Sequence, residues 1–204
     1  MDAEASVEGG LTTADEHRPT REEQALAGFL ILAALGGTYG LSLALYALLG
    51  VASGSPLYLE LSPVSRLLGV AFLAVGAWVE VSVFRVRRIV DVWTSTTFTF
   101  LKLVRRKPQT ERMGRTEPFV PTGPYAYVRS PMYFGILLGV LGLSVAVSSL
   151  PLLFWGGVLA VWYAVFLIPF EERELEALFG ASYRDYQRQV PMLVPYGKKY
   201  HPGR

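Results

Sequence analysis

The sequence predicts an all-α integral membrane protein with about four transmembrane helices, the last two forming a C-terminal helical hairpin, followed by a cytosolic amphipathic C-terminal helix. Three observations carry that prediction. Of 204 residues, 51% are apolar, too many for an ordinary soluble domain. These residues fall into uncharged runs, and a bilayer crossing takes roughly 20 predominantly apolar residues. The net charge of +2 conceals a segregation of lysine and arginine into one internal stretch.

Residues 1–24, MDAEASVEGGLTTADEHRPTREEQ, are acidic and polar, without the basic start and early apolar core of a signal peptide. They read as a disordered tail. Residues 25–86 hold two transmembrane helices. Gln24 to Leu59 carries no charge, and residues 26–49 form the first span. The exit, VASGSPLYLELSP, is rich in turn formers, and residues 67–84 form the second span, which ends at Arg85. Glu80 lies inside that second span. Two readings stand for it: a near-interface side chain reaching headgroups or a neighbouring arginine, or a functional intramembrane carboxylate.

Residues 87–122 form a basic cytosolic loop. Ten lysines and arginines fall between Arg85 and Arg129, against Asp91, Glu111 and Glu117. The 53–65 loop and the 148–151 turn contain no lysine or arginine. Positive charge gathers on the cytoplasmic side, so both termini and the basic loop are expected there, with the cell membrane as the location.

The third apolar block runs from Ser130 to Phe170, about twice a membrane thickness at ~1.5 Å per helical residue. SSLP, Ser148 to Pro151, interrupts it near the middle, and proline suits the start of a helix. A tight hairpin follows, with arms at 132–147 and 151–169. After it, Leu175, Leu178 and Phe179, then Tyr183, Tyr186 and Val190, recur at three-to-four spacing. That pattern predicts an amphipathic helix against the cytosolic mouth, broken at Gly180. Residues 123–196 thus form a core, and 197–204 a tail. The spacings Gly36/Gly40 and Gly135/Gly139 read as close helix packing, because no strand-to-helix turn is present to make a phosphate loop.

Composition excludes several chemistries. Without cysteine there are no disulfides, thiolate nucleophiles or cysteine metal sites. The only histidines are His17 and His201, both in polar terminal segments, so no histidine metal centre or Ser/His triad is expected in the body. The expected partners are the bilayer and a lipophilic small molecule or lipid, with no nucleic acid and no metal.

Chemistry concentrates in GPYAYVRSPMYFG, residues 123–135. Gly123-Pro124 and Ser130-Pro131 are proline-fixed corners enclosing Tyr125, Tyr127 and Arg129, and Pro131 suits the first position of a helix. The backbone N–H groups of that helix start, helped by Arg129, would meet an anion well. Tyr125, Tyr127 and Tyr133 offer stacking surfaces and hydroxyls. Glu171 and Glu172 sit just past Phe170 at the other end of the hairpin. Carboxylates at a helix C-terminus oppose its dipole, so this pair asks for a counter-charge. The hairpin brings a cationic, aromatic corner and a paired-carboxylate corner to one membrane face.

GPYAYVRSPMYFG, the hairpin, and EERELEALFGASYRDYQRQVPMLVPY together resemble the isoprenylcysteine carboxyl methyltransferase family and related phospholipid N-methyltransferases. The resemblance covers roughly residues 119–196. It implies a site for S-adenosylmethionine at the cytosolic membrane face, with a lipophilic substrate, a prenylcysteine-like carboxylate or a lipid headgroup, entering between helices. Gly123, Pro124, Tyr125, Arg129, Tyr133, Glu171 and Glu172 map onto the motif positions, with Tyr127 and Ser130 beside them in the implied cofactor site. Arg129, Tyr133, Glu171 and Glu172 are the implied catalytic set. One position departs: the family commonly reads Arg-His-Pro where this chain has Arg129-Ser130-Pro131.

The implied reaction is displacement at a sulfonium methyl group, in which the protein supplies alignment and a dry path. A carboxylate acceptor needs no base, whereas an amine must lose a proton, for which Glu171, Glu172 and Tyr133 are candidates. Two other classes compete with this reading. A sterol-type reductase would use NADPH, and a non-enzymatic lipid-binding or scaffold protein would keep the hairpin without a cofactor.

Overall fold

A computed structural model of the chain describes residues 20–53, 60–88, 92, 121–197, 199 and 200. The expected tail over 1–24 and the basic loop over 87–122 lie almost wholly outside the described residues, as does the tail from 201 onward. Helix α1 spans Arg21–Ser53 and α2 spans Pro63–Val86. A short 3-10 turn, Gly123–Ala126, precedes α3, Pro131–Ala146. Helix α4, Leu150–Trp162, passes through a π-helical segment, Tyr163–Leu167, into α5, Ile168–Phe179, and α6 spans Ala181–Gln189.

Three stretches are long and apolar enough to cross a membrane: Gln24–Leu49, Pro63–Val86 and Leu150–Phe179. Helix α3 is shorter, with 16 residues, about 24 Å at ~1.5 Å per residue, against a hydrocarbon core of roughly 30 Å. The four apolar helices of an integral membrane protein are all present, including the hairpin. Ser62 caps α2, its hydroxyl accepting from the Ser65 N–H at 3.2 Å, and Pro63 opens the helix. The hairpin turns at Ser148, whose φ is +57°. Ser149 then caps α4 by accepting from the Leu152 N–H at 3.4 Å, and Pro151 follows in the first turn.

The α2–α3 pair forms a seam in which the two backbones come into contact. A Cβ on Gly69 would sit 2.5 Å from the Ala146 nitrogen, and one on Gly142 would sit 2.5 Å from the Leu73 nitrogen. Further along, a Cβ on Gly76 would stand 2.8 Å from the Gly135 carbonyl and 3.0 Å from the Gly139 nitrogen. Numbers rise along one helix as they fall along the other, so the two run antiparallel with their backbones in contact. Gly135 packs as its spacing predicted, a Cβ there meeting the Glu80 side chain, whereas Gly139 offers only its backbone to Gly76 and a Cβ on it would meet nothing within 4 Å. Gly36 and Gly40 do not pack as predicted: a Cβ on either meets nothing within 4 Å. Helix α1 instead meets α4 through larger groups, with the Trp155 indole N–H donating to Thr38 Oγ1 at 3.3 Å and stacking edge-on against Tyr39.

Tyr133, Leu159, Tyr163, Leu167 and Ile168 form a buried cluster that ties α3 to the long α4–α5 stretch. The π-helical segment lies just before Pro169, which has no N–H to donate and whose ring crowds the carbonyl four residues back. Widening the turn, with the Ile168 N–H donating to the Tyr163 carbonyl, lets the helix pass the proline unbroken. One expectation is corrected here. Glu171 and Glu172 do not close a helix; the helix runs on to Phe179, so their charges oppose no helix end. The break comes at Gly180, whose φ of +54° is a positive-φ conformation that glycine adopts without strain. Beyond it, Tyr183, Tyr186 and Val190 pack with Leu175 and Phe179, the apolar stripe expected of the C-terminal helix.

Candidate functional site

Gly123, φ +59°, turns the chain into the 3-10 corner, and the Pro124 carbonyl accepts from the Tyr127 N–H at 3.1 Å and the Val128 N–H at 3.2 Å. The next two residues join the C-terminal segment. The Arg129 N–H donates to the Pro191 carbonyl at 2.9 Å and the Ser130 N–H to the Met192 carbonyl at 3.1 Å. The Tyr186 hydroxyl donates to the Tyr125 carbonyl at 2.7 Å, and the Tyr200 N–H to the Ala126 carbonyl at 2.8 Å. Burial holds the Tyr186 phenol well above the usual tyrosine range, so it stays a hydrogen-bond donor. Tyr186, Pro191, Met192 and Tyr200 thereby strap the corner from outside.

Two pairs bridge the corner and α5. The Tyr133 hydroxyl donates to Glu171 Oε1 at 2.7 Å. Arg129 Nε lies 3.0 Å from Glu172 Oε1, with side-chain exposures of 13% and 15%. Consecutive helical residues point about 100° apart, so the two carboxylates reach different partners. Gln187 closes the second pair: its amide N–H donates to Glu172 Oε2 at 3.4 Å, and its backbone carbonyl accepts from an Arg129 Nη1 N–H at 3.2 Å. The Tyr133 ring leans on Tyr163, their centroids 4.7 Å apart.

Of the residues singled out in the sequence, Arg129, Tyr133, Glu171 and Glu172 converge. Gly123 and Pro124 shape the turn, and Tyr125 contributes a carbonyl. Tyr127 is exposed, and Ser130 caps α3 by position with no side-chain cap bond. The Arg129 charge faces Glu172, the counter-charge that the acidic pair asked for. Sequence reading missed Gln187, Tyr163 and the strap over 191–192. Gln187 stands four residues after Tyr183, next to the apolar face of α6, and that neighbourhood was its one signal.

Glu80 is half-buried in α2, and its Oε1 is fully buried against Gly135 with no hydrogen-bond partner among the described residues.

Arg129 Nε and Glu172 Oε1 are also buried without an aligned hydrogen bond, close in charge but free in direction. Carboxylates at Glu171 and Glu172, a guanidinium and tyrosine rings make a donor set suited to a ligand that carries a cation, a carboxylate, hydroxyls and an aromatic base. S-adenosylmethionine has those groups, so the residues present fit it. Among the described residues no cluster of His, Asp or Glu could hold a metal ion.

The family described as phospholipid methyltransferase matches residues 64–182. The chain is similar to methanethiol S-methyltransferase 2 of Bradyrhizobium diazoefficiens, 44% identical over 71 residues, 35% of this chain and 26% of that protein. It is similar to methanethiol S-methyltransferase of Mycobacterium tuberculosis, 36% identical over 80 residues, 37% of this chain and 30% of that protein. It is also similar to protein-S-isoprenylcysteine O-methyltransferase B of Arabidopsis thaliana, 29% identical over 111 residues, 54% of this chain and 52% of that protein. The matches thus span about a quarter to a half of these curated relatives. No solved structure matches the chain significantly.

Proposed function

The chain belongs to the phospholipid methyltransferase family, and from that premise we propose that it is an S-adenosylmethionine-dependent methyltransferase acting on a lipophilic substrate at the cytosolic membrane face. The observation that supports this most is the pairing of Tyr133 with Glu171 and of Arg129 with Glu172. These pairs draw the start of α3, α5 and the C-terminal strap around one spot beside an apolar helical wall.

S-adenosylmethionine, when bound, supplies an activated methyl group on a sulfonium sulfur. Glu171 and Glu172 would hold its cationic and hydroxyl groups, Arg129 its carboxylate, and Tyr133 would orient Glu171. The strap over 186–192 fixes Arg129 through its backbone, which keeps the guanidinium preorganised. The cytosolic placement rests on the lysine and arginine segregation between Arg85 and Arg129.

Binding of labelled S-adenosylmethionine and of NADPH to the purified full chain tests the reading. Saturable binding of the first alone is expected. Binding of NADPH alone would point to a reductase, and binding of neither to a lipid-binding protein without cofactor chemistry.

A further inference from the structure

Tyr163 and Glu171 lie on one continuous helical stretch, Leu150–Phe179, and both reach the same side chain of α3. The Tyr163 ring centroid stands 4.7 Å from that of Tyr133, and Glu171 Oε1 accepts from the Tyr133 hydroxyl at 2.7 Å. An unbroken α-helix would not allow both contacts. Residues advance around it by about 100° each, so Glu171, eight residues on from Tyr163, would stand about 80° to one side of Tyr133. Glu172 would point about 180° away, on the face that Val161 and Val165 mark. Both valines are exposed, as the lipid side of a span is. Phe170, seven residues on and about 20° off, would take the place opposite Tyr133.

The π-helical segment changes the phase. In Tyr163–Leu167 the turn closes through the Ile168 N–H, which donates to the carbonyl five residues back, one more than in an α turn. That extra residue sets everything after it back by about 100°. Glu171 then falls within about 20° of the Tyr133 direction, and Glu172 about 80° to the side, where Arg129 and Gln187 meet it. The burial pattern shows the same shift. Leu167 and Ile168 are adjacent yet both buried in the cluster with Tyr133, while Val165 and Phe166 are both exposed.

Pro169 is the residue that favours the wide turn. In an α turn its nitrogen would face the Val165 carbonyl without a hydrogen to give, and its ring would crowd that oxygen. We propose that Pro169 is a positioning residue for the candidate site: through the π turn it rotates both carboxylates inward, Glu171 to Tyr133 and Glu172 to Arg129. Without that rotation the same sequence, Phe170-Glu171-Glu172, would offer a phenyl ring to the site and a carboxylate to the lipid side, where a charge is costly. What the two carboxylates hold rests on the methyltransferase reading above; Pro169 is what aims them.

The test shifts the phase in two opposite senses, in the full chain in nanodiscs. Deletion of Val165, whose side chain is exposed, shortens the stretch by one residue. With Pro169 still holding the turn wide, the two acids swing about 100° past their partners, and labelled S-adenosylmethionine should bind about tenfold more weakly or worse. The same deletion combined with Pro169→Ala lets a plain α-helix form, with seven steps from the tyrosine to the first acid and that acid about 20° off the Tyr133 direction. This double variant should recover an affinity within about threefold of wild type. Such a rescue is what phase requires, since a proline kept only for stability would make the double variant worse than the deletion. Undiminished binding by the deletion alone would overturn the proposal. So would a double variant that binds no better than the deletion, whether or not it folds.

A second measurement needs no cofactor. In detergent, the losses of thermal stability from Tyr133→Phe and Glu171→Ala should combine to less than their sum wherever the two side chains touch. That shortfall is expected in the wild-type chain and in the double variant, and not in the deletion. A shortfall in the deletion as large as in wild type would sink the assignment of Pro169. Should the deletion alone not fold, a double variant that folds and keeps the shortfall still carries the rescue, and one that lacks it overturns the proposal. If wild type fails to bind S-adenosylmethionine, the methyltransferase reading falls, while the coupling of Tyr133 and Glu171 still decides whether the π turn aims the acids.

Discussion

The Tyr133 hydroxyl and Glu171 Oε1, 2.7 Å apart, join the third residue of a proline-started helix to a carboxylate just past a proline-widened turn. Neither proline touches the bond, yet both place it. Pro131 sets the origin of α3, and the π-helical segment before Pro169 carries α5 forward without a break. A hydrogen bond to a charged acceptor contributes about 1.5–3 kcal/mol. Tyr133→Phe keeps the ring against Tyr163 and loses only the hydroxyl, so unfolding in detergent should shift by that amount. Glu171→Gln still accepts the bond but removes the charge. Stability should fall less than in Tyr133→Phe, and S-adenosylmethionine affinity should fall more. Unchanged affinity in Glu171→Gln would remove Glu171 from the cofactor site.

Arg129 and Glu172 are each mostly shielded from water, so breaking their pair strands a charge. Removing one partner of a shielded ion pair costs about 3–5 kcal/mol when burial is complete, and less here because both retain some exposure. Arg129→Ala and Glu172→Gln should each destabilise the fold, and the double variant should lose less than their sum. Arg129→Lys should rescue poorly, because lysine cannot contact Glu172 and the Gln187 carbonyl with one planar group. Additive losses in the cycle would mean that the two residues act independently.

How much of this was legible beforehand follows from the range of each signal. The spans, the hairpin turn at SSLP and the break at Gly180 are local features, written in hydrophobic runs and in residues that cap, start or end helices. The convergence of Arg129, Tyr133, Glu171 and Glu172 could be anticipated because a hairpin returns the chain to the face it left. Gln187 and the pairing of residues 129–130 with 191–192 could not, since backbone carbonyls carry no sequence signature. The Gly36/Gly40 spacing misled for a related reason. Two glycines on one face permit close packing, but the partner helix must present an equally small face. Gly69 and Gly76 present one to α3, whereas α4 presents Phe154 and Trp155 to α1.

That contrast predicts opposite outcomes for one substitution. Gly69→Ala and Gly142→Ala place a methyl group 2.5 Å from backbone nitrogen across the seam, so α2 and α3 must separate. Overpacking of this kind costs about 1–3 kcal/mol, and more when the obstacle is backbone. Gly36→Ala and Gly40→Ala meet open space and should be neutral or slightly stabilising, since alanine favours the helix. Thermal unfolding of all four in one detergent makes the comparison. Equal destabilisation by Gly36→Ala would place another helix against that face.

Orientation has its own test. The lysines and arginines between Arg85 and Arg129 predict a cytoplasmic C-terminus. A reporter active only outside the cytoplasm, fused after Arg204, should be silent, while a cytoplasmic reporter at the same position should be active. The reverse pattern would move the candidate site to the opposite face.

Ser130 carries the sharpest remaining expectation. The resemblance places histidine between the arginine and the proline of this motif, and this chain places serine. The structure gives the serine side chain no cap bond, and the one hydrogen bond recorded for its N–H, to the Met192 carbonyl, is made by backbone and does not depend on the side chain. The residue is half-buried at the mouth of the corner, so a larger side chain has a route outward. Ser130→His should therefore fold as wild type does and bind S-adenosylmethionine equally or more tightly, through an added ring donor. Binding is read with labelled cofactor, and folding by monodispersity and thermal unfolding in detergent. If the variant folds but loses cofactor, the corner is shaped differently from the one the resemblance implies, and the assignment of Arg129 and Tyr133 to the cofactor site falls with it.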